Sequence, residues 1–298
     1  MHYRARVNLG LLLFIAVLSS ACVTSPTRQL SSYAASQGFT EEVLASERFL
    51  HRIFSRSSDQ SPDTHLNVYL EGDGIPWIAR YYSTNDPTPR HPLMLRLMAR
   101  DTANALYLGR PCYNGFSRSA ACSKDLWTAA RYSPIVVESL AQVLRSVINR
   151  QGIESVSLFG HSGGGTLAVL LASQIPQTDA VVTLAGNLNV QGWIAHHGYS
   201  PLYSSLDPVN QPPLKRAIRQ YHFLGATDTN IPPDLTAPWV SQQVGAQGFI
   251  VDDADHSCCW LALWPRILNG VKRAANPAVQ ARPLEFPGRS ITRIAKLQ

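Results

Sequence analysis

Apolar positions along the chain switch repeatedly between two spacings. His65 to Leu70, Val156 to Phe159, Asp179 to Leu184 and Gln220 to Leu224 are short, nearly continuous apolar runs. Runs of this length bounded by turn residues predict strands buried on both faces. Ala103 to Leu108 and Gly248 to Val251 predict two more strands, and the weak alternation of Phe39 to Arg56 predicts an antiparallel pair. Elsewhere the spacing is helical. Ser133-Pro134 reads as an N-cap with proline in the first turn. Behind it Val136, Leu140, Val143, Leu144, Val147 and Ile148 share one helical face. Gly163 to Ser173 predicts a buried helix, and Cys259 to Val271 a last one, kinked at Pro265. Strands alternating with helices predict an α/β fold, with a mostly parallel central sheet and helices on both faces. Reactive groups in such folds gather beyond the carboxyl ends of the strands.

Composition narrows the function classes. The 298 residues are 45% apolar and 15% charged, which excludes wholesale disorder. Apart from residues 9–18 there is no long apolar run, which excludes a polytopic membrane protein. Of the net charge of +6, residues 272–298 hold +5 and residues 1–22 hold +2, so the body is near neutral at −1. That leaves no basic stripe for nucleic acid. The first 21 residues have the form of a signal peptide: Arg4 and Arg6, the apolar stretch Leu9 to Leu18, then small residues before Cys22. Leu18-Ser19-Ser20-Ala21-Cys22 resembles a bacterial lipobox, with Ser19 where a large aliphatic residue is usual. Lipidation of Cys22 is expected, with ordinary cleavage after a small-x-small site as the alternative. Val23 rather than Asp after Cys22 suggests the outer membrane by lipoprotein sorting rules, with the protein otherwise periplasmic or secreted. Residues 22–38 read as a tether, 39–275 as one domain with an insertion at about 185–219, and 276–298 as a basic tail.

The strongest chemical signal is Gly160-His161-Ser162-Gly163-Gly164, a G-x-S-x-G between a predicted strand and helix. Such a turn exposes Ser162 Oγ above the sheet and aims a helix amino end at it. A glycine-rich turn without chemistry is the plain alternative. Among nine histidines, His256 follows the last main strand and precedes the last helix, where a general base belongs. His222 lies within a strand, His161 is expected to point away from Oγ, and His196 and His197 fall in the insertion. Asp228, in a D-x-x-I-P loop after the Gln220–Leu224 strand, is the candidate acid, with Asp234, Asp253 and Asp255 as rivals. An oxyanion hole would take the N–H of Gly163 and one from Glu71-Gly72-Asp73-Gly74, with Asp73 first and Gly74 next. The Asp73 carboxylate has an alternative use, binding a substrate amine.

With these residues in place, the chain from about Phe39 to Ala275 resembles the α/β-hydrolase superfamily. More narrowly it resembles exported, lipoprotein-type serine hydrolases of Gram-negative bacteria. The shared marks are the Glu71–Gly74 loop with Trp77, Arg110-Pro111-Cys112, Cys122, Trp127 to Arg131, the Ser162 turn, Ser205 to Pro208, and His256 to Trp260. The resemblance implies an α/β-hydrolase fold with a short cap insertion and a triad acting through an acyl-enzyme. The expected substrate is a small-molecule or lipid-like carboxylic ester. A peptidase or amidase on the same triad is the alternative, in which Glu71 or Asp73 would hold a substrate terminus. An inactive envelope binding protein is a third reading. No metal spacing or nucleotide loop occurs, so no metal and no cofactor are expected. In an oxidising compartment, with Cys22 set aside, Cys112 and Cys122 are expected to pair across a ten-residue separation. Cys258 and Cys259 are expected to form a vicinal disulfide, with two reduced cysteines as the alternative and cross-pairing last.

Overall fold

The computed structural model describes residues 25–57, 64–79, 81–275, 286 and 291–294. Its strands are β1 (Thr40–Ala45), β2 (Leu50–Arg56), β3 (His65–Leu70), β4 (Trp77–Ile78), β5 (Tyr82–Ser83) and β6 (Ala105–Leu108). They continue with β7 (Ser155–His161), β8 (Thr178–Leu184), β9 (Arg219–Gly225), β10 (Ala246–Val251) and β11 (Ile291–Arg293). Nine of them form one sheet in the order β1-β2-β6-β3-β7-β8-β9-β10-β11. From β6 to β10 every pairing is parallel, and antiparallel strands close both edges. β4 and β5 form a separate small hairpin.

Helices cover both faces. On one lie α3 (Pro134–Gln151) and α4 (Gly163–Ala172); on the other α1 (Pro26–Ser36), α2 (Leu93–Met98) and α7 (Trp260–Ala275). The apolar face read for α3 is buried, and Gly152 at φ 66° ends the helix in the left-handed conformation. α4 is buried on every side, as a helix apolar all round must be. Trp264 of α7 packs edge-on against Phe159 and Tyr69, which stack at 5.0 Å. Below them Asp101 accepts from Tyr69, Asn67 and Lys272 at 2.6–2.8 Å. Burial alone would raise its carboxyl, but the Lys272 ammonium and these donors hold it below the ordinary value.

Two boundaries are corrected. Residues 26–36 of the expected tether are a helix whose Leu30 and Ala34 are buried against the sheet. Residues 291–293 of the expected tail are a strand paired with β10, and Phe286 packs on Phe223 and Phe249. The signal peptide, Cys22 and the rest of the tail lie outside the described residues. Among the described residues no helix is long and apolar enough to cross a membrane.

The insertion supplies α5 (Val190–His197) and a single turn at Pro208–Asn210. The Asp207 carboxylate accepts from the N–H groups of Val190, Gln191 and Val209, fixing both pieces. A final helix, α6 (Pro233–Gln242), follows β9. Cys112 bonds to Cys122 and Cys258 to Cys259, the pairing expected from their spacing. Closing the loop between Cys112 and Cys122 contributes about 3 kcal/mol on a chain-entropy account.

Candidate active site

The turn from β7 into α4 carries Ser162 at φ 54°, ψ −124°, a conformation that non-glycine residues rarely adopt. Two glycines permit it. A Cβ on Gly160 would fall 2.2 Å from the carbonyl oxygen of Gly164, and one on Gly164 would fall 2.1 Å from that of Leu70. The small residues of the motif are therefore a packing requirement of the turn.

His256 Nε2 lies 3.0 Å from Ser162 Oγ, and its Nδ1 lies 2.9 Å from Asp228 Oδ2. Asp228 is buried, and its other oxygen accepts from the N–H groups of Asn230 and Ile231. Since the carboxylate only accepts, Nδ1 carries the proton and Nε2 is free to take one from the serine. The three residues expected from sequence are thus brought together, each from the carboxyl end of a parallel strand or the loop beyond it. The rivals are not. Asp255 accepts from the Ser257 and Cys258 amides instead, and these bonds hold its carboxyl below the ordinary value. Asp234 lies in the first turn of α6.

The other histidines have structural partners. His222 is buried between Thr183 and Trp239. His197 bonds the Asn230 carbonyl at 2.7 Å and stacks on Tyr199, so the insertion packs on the loop that holds Asp228. His161, expected to point away from Oγ, turns its ring to the His256 loop. Its ring lies 5.0 Å from that of His256, and its Nε2–H donates to the His256 carbonyl at 2.7 Å. Burial, and then the neighbouring His256, push it down to about 4, so it stays neutral beside His256.

The Glu71–Gly74 loop lies against this turn. A Cβ on Gly163 would fall 2.1 Å from Asp73 Oδ1 and 2.4 Å from the Tyr132 hydroxyl. Among the described residues, the N–H groups of Gly163 and Asp73 meet no acceptor. Sequence reasoning missed what holds this loop. Asp73 Oδ1 accepts from Arg110 at 2.6 Å, and Oδ2 accepts from Arg131 at 2.9 Å and Tyr132 at 2.6 Å. The Arg110 guanidinium lies over the Tyr113 and Tyr132 rings and also reaches the Gly72 carbonyl. Burial alone would raise the Asp73 carboxyl, but the Arg131 and Arg110 guanidiniums outweigh it and hold it well below the carboxylate range. Two guanidiniums against one carboxylate leave this cluster one positive charge in excess beside the free amides. The Asp73 oxygens, with three donors on them, are not open to a substrate amine.

Glu71 is buried and accepts from the Met94 N–H at 3.0 Å. Burial pushes its carboxyl from 4.5 up to about 7, against the pull of the backbone donors. An acid whose folded-state pKa lies above its unfolded one binds more protons folded, so stability falls as pH rises through that window. The loss between about pH 5 and about pH 8 should reach roughly 2–3 kcal/mol from this group. Urea unfolding at the two pH values should show a smaller difference in Glu71→Gln than in wild type. An unchanged difference would assign the slope to other groups.

No family model matches the chain, and no curated protein matches its sequence. Solved structures do match in shape. A puromycin hydrolase superposes with a TM-score of 0.56 at 13% identity over 85% of this chain, which spans only 41% of that longer protein. A protein described as a candidate lipase from Acinetobacter baumannii superposes at 0.56 and 12% identity over 86% of this chain and 99% of its own. An esterase from Pyrococcus furiosus does so at 0.55 and 12% identity over 80% and 93%. With the sheet order and the placement of Ser162, Asp228 and His256 already described, the shared shape means that this chain has the α/β-hydrolase fold.

Proposed function

We propose that the protein is a serine hydrolase that cleaves carboxylic esters. The observation that carries the reading is the unbroken line Asp228–His256–Ser162, with links of 2.9 and 3.0 Å, on a turn held open by glycines. Ser162 Oγ attacks the acyl carbon as its proton passes to His256 Nε2. Asp228 keeps the imidazole in the accepting tautomer and stabilises the imidazolium. The N–H groups of Gly163 and Asp73 receive the developing oxyanion, and the positive excess of the Arg110–Arg131 cluster lies behind them. His256 returns the proton to the departing alcohol, and water then resolves the acyl-enzyme in the same steps reversed. An amidase acting on free amino termini would need an uncommitted carboxylate. The oxygens of Asp73 are taken by Arg110, Arg131 and Tyr132, and Glu71 is buried on backbone amides.

The protein is read as exported and lipid-anchored through Cys22 at the periplasmic side of the outer membrane, on the form of its first 22 residues. The test is fluorophosphonate labelling of wild type and Ser162→Ala, followed by matched esters and aminoacyl amides, with palmitate incorporation in wild type and Cys22→Ser alongside. Labelling at Ser162, faster ester than amide turnover and palmitate lost in Cys22→Ser are expected. An unlabelled wild type, or faster amide turnover, would overturn the esterase.

A further inference from the structure

Three residues beyond Gly74 the chain enters the β4–β5 hairpin, which exposes several large apolar side chains close together. Trp77, Ile78, Tyr81 and Tyr82 are 43%, 56%, 81% and 72% exposed within six consecutive positions. Single exposed apolar residues are ordinary, but a contiguous group marks an interaction surface. The hairpin is firmly mounted. Ile75 N–H donates to the Pro87 carbonyl at 2.9 Å, Thr84 N–H to that of Pro76 at 3.0 Å, and the Trp127 indole to that of Thr84 at 3.2 Å.

At its foot is a hollow lined by Asn85, Ser117, Arg118, Lys124 and Trp127. Lys124 reaches the Ser83 carbonyl, and neither Lys124 nor Arg118 forms an ion pair among the described residues. The loop carrying Arg118 is closed by Cys112–Cys122. Trp and Tyr, with an apolar body and a polar tip, suit the depth where acyl chains meet headgroups. Unpaired cations just behind them suit the depth of the phosphates.

We propose that the β4–β5 hairpin and this basic hollow dock the protein onto the surface of an anionic phospholipid membrane. The aromatic tip enters the interface, and Arg118 and Lys124 engage headgroup phosphates. Docking in this way brings the Glu71–Gly74 loop and Ser162 close to the lipid surface. The inference goes beyond the hydrolase reading and stands without it, because it concerns binding alone.

The test uses the exported, processed chain carrying Cys22→Ser and Ser162→Ala, so that neither an anchor nor turnover contributes. Sedimentation with vesicles of equal parts phosphatidylcholine and phosphatidylglycerol should show binding, with weaker binding to phosphatidylcholine alone. Arg118→Ala with Lys124→Ala should weaken partitioning about tenfold and erase the preference for the anionic lipid. Trp77→Ala with Tyr81→Ser and Tyr82→Ser should weaken it by at least about tenfold on both vesicles. Brominated lipid should quench tryptophan fluorescence in the parent and much less in Trp77→Phe. With Ser162 restored, the same hairpin variants should keep their turnover of a soluble ester, which separates failure of docking from failure of the catalytic reading. No vesicle binding, or binding indifferent to both sets of substitutions, overturns the proposal. A dimer broken by the hairpin substitutions would assign the surface to a second copy of the chain and overturn it equally.

Discussion

Replacing Ser162 by alanine is expected to lower kcat for ester hydrolysis by several orders of magnitude, on the order of 10⁵–10⁶. Its Oγ is the atom hydrogen-bonded to His256 Nε2, and it is presented on a turn that holds Ser162 at φ 54°. His256→Ala should be about as damaging. The double variant should be no worse than either single one, because nucleophile and base act as a unit. A residual acceleration of about 10³ over water should persist from the amides and from substrate binding. Burst and steady-state kinetics on an activated ester measure all of this. Near-wild-type turnover in Ser162→Ala would refute the mechanism outright.

The second large effect is at Asp228. In Asp228→Asn the carboxamide oxygen should stay with the Asn230 and Ile231 N–H groups, which already bond Oδ1. Its amino group then faces His256 Nδ1 and can only donate. That forces the imidazole proton onto Nε2, where it can no longer accept from Ser162. A drop of about 10⁴ in kcat with an unchanged melting profile is expected. Asp234→Asn should leave kcat near wild type. If the two results were exchanged, the acid would be Asp234.

The triad was legible because each member sits beside a local signal: glycines around Ser162, a turn-rich loop after β9, a polar loop before α7. The strands of the parallel core were legible for the same reason, since burial on both faces writes a continuous apolar run. Helix α1 was not. Only Leu30 and Ala34 reach the core, and Ser, Thr and Gln around them read as solvated chain. Strand β11 was hidden because three residues at a sheet edge carry almost no periodicity. The Asp73 cluster was hidden for a different reason. Arg110 and Arg131 lie 37 and 58 residues from their partner, and no local pattern encodes a charge pair at that range.

The bond from His161 to the His256 carbonyl changes what the five-residue motif means in this chain. In G-x-S-x-G the first variable letter is usually read as a spacer. Here that letter is a strut that ties the His256 backbone to the residue next to Ser162. Any movement of the His256 loop away from the sheet must first break this bond. Ser162 and His256 are therefore coupled through a covalently adjacent residue as well as through their own contact. At the position where the motif grants the most freedom, this chain spans from β7 to the His256 loop through one N–H.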